Sequence, residues 1–348
     1  MEFSKDIVIG SKVISPDSPT FIIAEAGVNH NGDMLIARKL IDAAAECGVD
    51  AVKFQAFKTK NLILDNIAKA PYQLKTTNNQ ETQSDMLKKL EVGTDDMRLL
   101  KEYAESKGLI FLATPFEEDS LNELCDMEVL ALKVAATDLT NVQFLKQIAA
   151  KNKPIILSAG MCYLEEVKKA LETISPINDR VILLQCTANY PISDEEANLG
   201  VIRTFIDSFN MLVGYSDHSK GVGAAPYAVV SGAKVVEKHF TLDKNMAGPD
   251  HKASIEPSEL KELVTTIRKV EKYVGNGLKM PTCSEQMTRR SLQKCFVAKN
   301  VILKGDVFSD NNIVAKRTNG DGISALYYDC IIGKIADRNY DVDDIIVL

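Results

Sequence analysis

Short apolar runs alternate with longer segments of helical periodicity along most of the chain, and this alternation restricts the possible folds more than any other feature. Runs rich in Val, Ile and Leu are typical of strands buried on both faces, as in a parallel sheet. Eight such runs follow a predicted hairpin, DIVIGSKVI, and they are FIIAEA from Phe21, AVKFQ from Ala51, LIFLATP from Leu109, VLALKVA from Val129, PIILSA from Pro154, VILLQC from Val181, MLVGYS from Met211 and KVVEKHF from Lys234.

Each predicted strand is followed by a segment of helical period, among them MLIARKLIDAAAECG, TDDMRLLKEYAESKG, NVQFLKQIAAKN and YLEEVKKALETI. Several of these segments end in Gly or Asn, as the C-cap of a helix does. Eight strand–helix units predict an α/β fold of the (β/α)₈ TIM-barrel type rather than an open doubly wound sheet. No GxGxxG motif follows the first strand, so a dinucleotide-binding fold loses its main support.

The chain changes character after the segment PSELKELVTTIRKVEKYVG. We predict a TIM barrel over residues 1–280, a linker over residues 281–290 and a small β-rich domain over residues 291–348. The small domain contains the β-like runs KCFVA, NIVAK, DCIIGKI and DDIIVL, which turns rich in Gly and Asp separate. About 60 residues bury only a thin core, so we expect this domain to dock on something larger.

Composition excludes several classes of protein. Of 348 residues, 45% are hydrophobic and 26% are charged, which is typical of a globular protein and not of a disordered one. The net charge of −7 excludes a general attraction to nucleic acid or to anionic lipid. We expect no membrane span, because no stretch of about 18 apolar residues occurs. The N-terminus does not resemble a signal peptide, and the seven scattered cysteines indicate reduced thiols. We therefore expect a cytoplasmic protein.

Polar residues occupy nearly every predicted strand end. In a TIM barrel the carboxyl ends of the strands carry the chemistry, and folding alone requires only turn residues there. The polar residues at or just after these ends are Glu25, Asn29, His30, Lys53, Gln55, Thr114, Lys133, Ser158, Tyr190, Ser216, Asp217, His218, Glu237 and His239. This ring of polar side chains predicts an active site.

Two lysines lie inside apolar strands, Lys53 in AVKFQ and Lys133 in LALKVAA. A buried ammonium requires either a carboxylate or a bound anion opposite it. One interpretation is a structural salt bridge to Glu25 or Glu237. The other is a cradle for a phosphate or carboxylate, which the two lysines would form with nearby hydroxyl groups.

The four histidines all lie within or just after these strand-end segments. His218 follows the seventh strand and His239 ends the eighth, so neighbouring strands could direct two imidazoles at one metal ion. Two nitrogen ligands leave positions open for substrate oxygen and water, which suits a Lewis-acid site. A core or helix-capping histidine is the competing interpretation.

Several motifs then become informative together: AEAGVNHNGD, AVKFQAFK, LATPF, ILSAGM, CTANYP, GYSDHSKG, VEKHFTLDKNMAGPDHKAS and KRTNGDGIS. The chain resembles the bacterial sialic acid synthase family, which includes N-acetylneuraminate, legionaminate and pseudaminate synthases. The resemblance extends from about Phe21 to Leu348. It implies a TIM barrel followed by an antifreeze-like (SAF) domain, a divalent metal that is Mn²⁺ or alternatively Mg²⁺ or Co²⁺, and a domain-swapped homodimer.

The resemblance also assigns roles to residues. It implies that His218 and His239 bind the metal. It implies phosphoenolpyruvate contacts for Lys53, Thr114, Lys133, Ser158 and Ser216. Further residues matching the family's site are Gln55, Tyr190 and Asp250 near the sugar, the acidic Glu25, and Arg317, which the SAF domain supplies.

The chain departs from the family pattern at a few positions. Asp138 stands where relatives often carry Glu, and Ala136 replaces a phosphate-binding Ser, so we expect Thr137 to supply the hydroxyl. Ala188 stands where some relatives have Asn. Gln293 and Cys295 replace an Arg and a Ser of many relatives. These departures bear on the identity of the substrate more than on the chemistry.

The expected reaction joins C3 of phosphoenolpyruvate to the aldehyde carbon of N-acetylmannosamine, which leaves an oxocarbenium cation at C2. Water attacks this cation, and phosphate then leaves by C–O cleavage to give N-acetylneuraminate. Glu25 and Asp250 are expected to handle protons or stabilise the cation. The alternative substrate is 2,4-diacetamido-2,4,6-trideoxymannose, which would give N,N'-diacetyllegionaminate. Two more distant alternatives are a synthase acting on a sugar phosphate, which would need a second basic cluster, and a module that binds a surface or polymer.

Overall fold

The computed structural model describes residues 1–74, 77 and 80–347. An N-terminal hairpin precedes an eight-stranded parallel sheet with the order β5-β4-β3-β10-β9-β8-β7-β6. The two outermost strands in this order, β5 and β6, are in contact, so the sheet is a nearly closed barrel. The strands are β1 (Ile7–Ile9), β2 (Lys12–Ile14), β3 (Phe21–Gly27), β4 (Ala51–Ala56), β5 (Ile110–Pro115), β6 (Leu132–Val134), β7 (Ile155–Ser158), β8 (Val181–Cys186), β9 (Leu212–Asp217) and β10 (Val235–His239).

The predicted fold is confirmed, and all eight predicted runs contain a barrel strand. One run differs in extent, because VLALKVA forms a strand only over Leu132–Val134. The residues before it still belong to the turn that ends the preceding helix. Glu128 has a φ of 59°, and the Val129 N–H donates to the carbonyl of Leu124.

Helices follow each barrel strand and form the outer layer. They are α1 (Met34–Cys47), α2 (Thr59–Leu62), α3 (Pro71–Leu74), α4 (Gln83–Leu90), α5 (Thr94–Ser106), α6 (Glu118–Asp126), α7 (Val142–Ala150), α8 (Leu164–Ile174), α9 (Gly200–Phe209), α10 (Ala225–Val230) and α11 (Pro257–Val274). Their apolar faces pack against the outward side chains of the strands in the largest core cluster. In the described parts of the chain, no helix has both the length and the apolar character needed to cross a membrane.

The N-terminal hairpin closes one end of the barrel, at the amino ends of the strands. Ile7, Ile9 and Ile14 are buried in one apolar cluster with side chains from the first residues of the barrel strands, such as Phe21 and Ala51. The amino ends of the strands are therefore filled by apolar side chains. Polar groups inside the barrel are concentrated at the carboxyl ends, as expected for this fold.

The chain divides into two compact units, Met1–Asn276 and Gly277–Leu348. Residues 281–290, predicted as a linker, lie largely in helix α12 (Cys283–Leu292). This helix starts at a local signal, because the Thr282 hydroxyl accepts from the Glu285 N–H and the Glu285 carboxylate accepts from the Thr282 N–H. The prediction missed this helix because its exposed surface has no apolar period.

The second unit has a small apolar core around Phe296, Phe308 and Tyr340. The strands β11 (Lys294–Ala298) and β12 (Ile313–Arg317) pair antiparallel. The run DCIIGKI, predicted as β-like, instead begins in the short helix α13 (Tyr328–Ile331), because Ile331 is needed in this core. Short 3₁₀ helices complete the structure, at Ala136–Asp138, Asp194–Ala197, His251–Ala253 and Ala325–Tyr327.

Candidate active site

A cavity opens at the carboxyl ends of the barrel strands. Its charged and polar side chains come from seven of the eight strands and from the segments that follow them, so the parallel barrel alone explains why they meet. The lining residues are Glu25, Lys53, Gln55, Thr114, Phe116, Lys133, Ala135, Ala136, Ser158, Cys186, Ala188, Tyr190, Ser216, His218, Glu237 and His239.

Lys53 lies at the floor of this cavity in a buried ion pair. Its Nζ atom is 2.7 Å from Oε2 of Glu25 and 3.7 Å from Oε1 of Glu237. It also donates to the Thr114 hydroxyl at 3.1 Å. Burial opposes the charge of this lysine, but Glu237 and Glu25 outweigh burial and raise its pKa. The salt-bridge interpretation therefore holds for Lys53 in the structure.

Lys133 is less well compensated. Its Nζ atom donates to the Ser158 hydroxyl at 2.7 Å and to the Val134 carbonyl at 3.1 Å, while the Glu237 carboxylate is 3.9 Å away. Burial lowers the pKa of Lys133 despite the attraction of Glu237. Because the fold disfavours this positive charge, a bound anion would stabilise it.

The two glutamates of the cluster differ in ionisation. Burial raises the pKa of Glu25 to about 7, even though Lys53 opposes this shift. Burial also acts against ionisation of Glu237, but Lys133 and Lys53 together hold its pKa below the usual value. Glu237 Oε1 accepts from the Ser216 hydroxyl at 3.1 Å, whereas its Oε2 has no hydrogen-bond partner among the described residues. Because its pKa is about 7, Glu25 can take up a proton at neutral pH. The two lysines then outnumber the one remaining carboxylate, and the floor attracts an anion.

Two histidines lie side by side in the cavity lining, at the ends of adjacent strands. The ring centroids of His218 and His239 are 5.6 Å apart, and the Tyr190 ring lies 4.1 Å from the first and 5.4 Å from the second. His218 Nδ1 lies 2.6 Å from the Thr187 carbonyl. Because a carbonyl can only accept, Nδ1 carries the hydrogen, and Nε2 is the acceptor atom of the neutral ring, with the Ser216 hydroxyl 3.4 Å away.

The residues fit a divalent cation. Burial lowers the pKa of His218 to about 4 and that of His239 well below its ordinary value, so both imidazoles are neutral and can coordinate. Nδ1 of His239 is buried without a hydrogen-bond partner among the described residues. A carbonyl that fixes the tautomer of a histidine, as at His218, is the usual arrangement behind a metal ligand. The described residues contain no cluster of three or more His, Cys, Asp or Glu side chains placed to hold a metal.

Asp250 lies just outside the cavity lining. Its Oδ2 atom is 3.9 Å from Nδ1 of His239, and burial raises the pKa of its carboxyl to about 6. The Ser254 hydroxyl donates to the Asp250 carbonyl and accepts from the Asn29 amide, which ties the Asp250 segment to the end of β3.

Three further predicted residues do not line the cavity. Thr137 and Asp138 lie in the 3₁₀ helix after β6, where the Thr137 hydroxyl and the Asn141 amide contact the Asp138 carboxylate at 3.3 and 3.5 Å. The cavity ends one residue earlier, at Ala136, because the chain turns away there. Arg317 ends β12 in the second unit, and its side chain is exposed.

Cys186 and Phe116 also line the cavity, and the sequence analysis gave neither of them a role. Glu237, predicted as a strand-end residue and as one candidate partner of the buried lysines, lies in the cavity lining as well. Cys186 could have been found, because it ends a strand that an apolar run marks. Phe116 gave no signal, since an aromatic residue after a strand is most often part of the core.

Comparison with known proteins supports the resemblance seen in the sequence. The family model described as "NeuB family" matches residues 40–279. An N,N'-diacetyllegionaminic acid synthase of Campylobacter jejuni serotype O:2 is 47% identical over 330 residues, covering 94% of this chain and 98% of that protein. A second N,N'-diacetyllegionaminic acid synthase, from Legionella pneumophila, is 42% identical and covers 92% of this chain and 91% of its own.

A solved structure gives the same result. The N-acetylneuraminic acid (sialic acid) synthetase of Leptospira borgpetersenii, crystallised in complex with citrate, is 36% identical with a TM-score of 0.74. The match covers 84% of this chain and 98% of that one. The predicted relationship is confirmed, and the chain belongs to the NeuB family.

Proposed function

We propose that this protein condenses phosphoenolpyruvate with an open-chain N-acylated amino sugar, giving a nonulosonate and phosphate. We further propose that the sugar is 2,4-diacetamido-2,4,6-trideoxymannose and that the product is N,N'-diacetyllegionaminate. The initial expectation favoured N-acetylmannosamine, but the Campylobacter and Legionella relatives support the alternative better.

The single observation that carries the proposal is the charged floor of the cavity. Lys53 and Lys133 are both buried there, beside the hydroxyls of Thr114 and Ser158. Phosphoenolpyruvate carries a phosphate and a carboxylate, and ammonium and hydroxyl donors are the groups that bind such anions. Fixing this reactant on rigid strand ends orients its C3 carbon for attack on an aldehyde.

His218 and His239 are the residues that would hold the divalent cation, with Mn²⁺ as our choice ahead of Mg²⁺ or Co²⁺. When bound, such an ion supplies a Lewis acid for the aldehyde oxygen of the sugar. Asp250, whose pKa burial raises to about 6, can hold a proton near this oxygen. Glu25, with a pKa of about 7, can hold or release a proton beside phosphoenolpyruvate at neutral pH.

The apolar part of the cavity lining supports the diacetamido sugar. Phe116, Ala135, Ala136 and Ala188 present apolar surface there. The methyl group at C6 and the methyl of a second acetamido group would bury against such a wall. N-acetylmannosamine would instead place a hydroxyl against apolar carbon, where it finds no hydrogen-bond partner.

The remaining parts of the proposal rest on the family. We propose that the second unit is an SAF domain, that it brings Arg317 to the cavity of a partner subunit in a domain-swapped homodimer, and that the protein works in the cytoplasm. Gln55, which lines the cavity, and Thr137 and Asp138, which lie just beyond its lining, are proposed to contact substrate.

A competition experiment tests the substrate. Purified protein receives phosphoenolpyruvate, Mn²⁺ and equal amounts of the two sugars, and mass spectrometry follows both products. We expect a kcat/KM ratio of at least tenfold in favour of the diacetamido sugar, which is ~1.4 kcal/mol in transition-state stabilisation. A preference for N-acetylmannosamine would restore the initial expectation. If neither sugar releases phosphate from phosphoenolpyruvate, the condensation itself is wrong.

A further inference from the structure

Asp217 and Lys238 form a buried ion pair directly behind the two histidines. The two positions lie abreast on the adjacent parallel strands β9 and β10, and Lys238 Nζ is 3.0 Å from Oδ2 of Asp217. Neither side chain has exposed surface. Asp217 immediately precedes His218 and Lys238 immediately precedes His239. The ion pair therefore joins the two backbone positions next to those that carry the imidazoles.

The ion pair lies on the outer side of the barrel wall and does not line the cavity. Successive side chains of a strand point to opposite faces, so His239 and Glu237 line the cavity while Lys238 points away from it. Asp217 and Lys238 are therefore not positioned to contact the substrate or the cation. Any effect they have on the site must act through the histidines.

Asp217 also organises the segment that follows β9. Its Oδ1 atom accepts from the N–H and the hydroxyl of Ser219 at 2.8 and 2.6 Å, and its Oδ2 accepts from the Ala225 N–H at 3.2 Å. Lys238 donates to the Ser219 carbonyl. At Gly223, where φ is +59°, a Cβ atom would collide with the Ser219 hydroxyl and lie 3.1 Å from Oδ2 of Asp217. The segment beyond His218 is thus wrapped tightly around this one carboxylate.

We propose that the Asp217–Lys238 ion pair is a positioning device that sets the separation of His218 and His239 and, with it, the affinity of the site for a divalent cation. This inference rests on the proposed function, because it takes both histidines as metal ligands. Two apolar side chains could fill the same space without loss of stability, but apolar contacts are not directional. Directed hydrogen bonds and an ion pair fix the relative position of the two strand ends. Groups that orient metal ligands typically change metal affinity by 10- to 100-fold.

The test measures Mn²⁺ binding by the metal-free protein, using the electron paramagnetic resonance signal of free Mn²⁺. We expect Asp217→Asn and Lys238→Met each to weaken Mn²⁺ binding at least tenfold at a temperature where circular dichroism shows a folded protein. The double variant, which leaves neither charge unpaired, is expected to bind Mn²⁺ as weakly. If the single variants do not fold, Mn²⁺ binding by the double variant tests the inference.

Asp50→Asn is the matched control. Asp50 is also a buried carboxylate in ion pairs, with Lys12 at 2.6 Å and Arg268 at 3.1 Å, and it accepts from the Ile22 N–H at 2.9 Å. It lies just before β4, at the opposite end of the barrel from the histidines. We expect Asp50→Asn to lower thermal stability and leave Mn²⁺ affinity unchanged.

Three results would overturn the inference: wild-type affinity for Mn²⁺ in folded variants of the ion pair, an equal loss of affinity in Asp50→Asn, or no binding of Mn²⁺ by the wild-type protein. Failure of the proposed reaction looks different. In that case the wild-type protein binds Mn²⁺ and the ion-pair variants bind it weakly, but no phosphate is released from phosphoenolpyruvate with either sugar.

Discussion

The ammonium of Lys53 lies 2.7 Å from the carboxylate of Glu25 inside the barrel, and both side chains are almost completely buried. Lys133 is also buried, but among the described residues it has no carboxylate oxygen within hydrogen-bonding distance, and Oε1 of Glu237 is 3.9 Å away. Their pKa values shift in opposite directions, up for Lys53 and down for Lys133. The charge of Lys53 therefore stabilises the fold, whereas the charge of Lys133 destabilises it in the absence of a bound anion.

This contrast gives the first prediction. Lys53→Met should lower the free energy of unfolding by ~3–5 kcal/mol, because it leaves a buried carboxylate uncompensated. Lys133→Met should leave the stability unchanged or raise it. Both variants should raise KM for phosphoenolpyruvate at least tenfold. Urea denaturation and steady-state kinetics measure these effects, and equal losses of stability in the two variants would contradict the assignment.

The second prediction concerns the metal. Exhaustive chelation should abolish turnover and Mn²⁺ should restore it. His218→Ala should bind Mn²⁺ poorly and remain folded, because a side chain at a strand end contributes little to the core. His30→Gln is the control, since His30 is also buried but does not line the cavity. Full activity after chelation would exclude a metal-dependent mechanism.

The third prediction tests the proposed swapped dimer. Arg317→Ala and His218→Ala proteins should each be inactive. Mixing them under conditions of subunit exchange should regenerate activity, because one mixed site then holds both intact residues. Mass spectrometry of intact complexes verifies the heterodimer. If verified heterodimers stay inactive, Arg317 works in its own chain or has no role in the reaction.

The fourth prediction concerns substrate choice. A Cβ on the neighbouring Gly160 would already lie 3.3 Å from the Ala188 Cβ, so this wall has little spare room. Ala188→Asn should lower kcat/KM for the diacetamido sugar about tenfold, because it replaces apolar surface with an amide. KM for phosphoenolpyruvate should not change, since the lysines lie on other strands. An unchanged preference between the two sugars would show that Ala188 does not contact the sugar.

The fifth prediction is a pH dependence of stability. Burial lowers the pKa of His30 to about 4, from 6.5 in the unfolded chain. Between these values the unfolded state binds the proton and the folded state does not, so stability falls as the pH falls from 6.5 to 4. The contribution of His30 is about 1.4 kcal/mol per pH unit in this window.

His30→Gln should therefore flatten the dependence of unfolding free energy on pH below 6.5, as measured by urea titrations at pH 7.5, 6.5, 5.5 and 4.5. The curves of the variant and the wild type should run parallel above pH 7, where His30 is neutral in both states. Identical slopes below pH 6.5 would mean that His30 is protonated in the folded protein.

The sequence determined the barrel and most of the cavity lining. Apolar runs buried on both faces and separated by helices can form parallel units, and a barrel of parallel strands brings all carboxyl ends to one side. Residues such as Lys53, Ser158 and His239 could therefore be placed together from their positions at strand ends alone. For the same reason, Glu237 was recognisable in the sequence as a strand-end residue and as a candidate partner of the buried lysines, although its distances to them were not.

Tertiary structure alone decided which of these groups pair. Lys53 pairs with Glu25 and Glu237, which are 28 and 184 positions away in the chain, and these contacts depend on strand register and on side-chain reach across the barrel. The pairing of Asp217 with Lys238 and the exclusion of Asp138 from the cavity depend on the same three-dimensional features. Local patterns record which face of a strand a residue occupies, but not the distances between side chains from different strands, and those distances determine ionisation and binding.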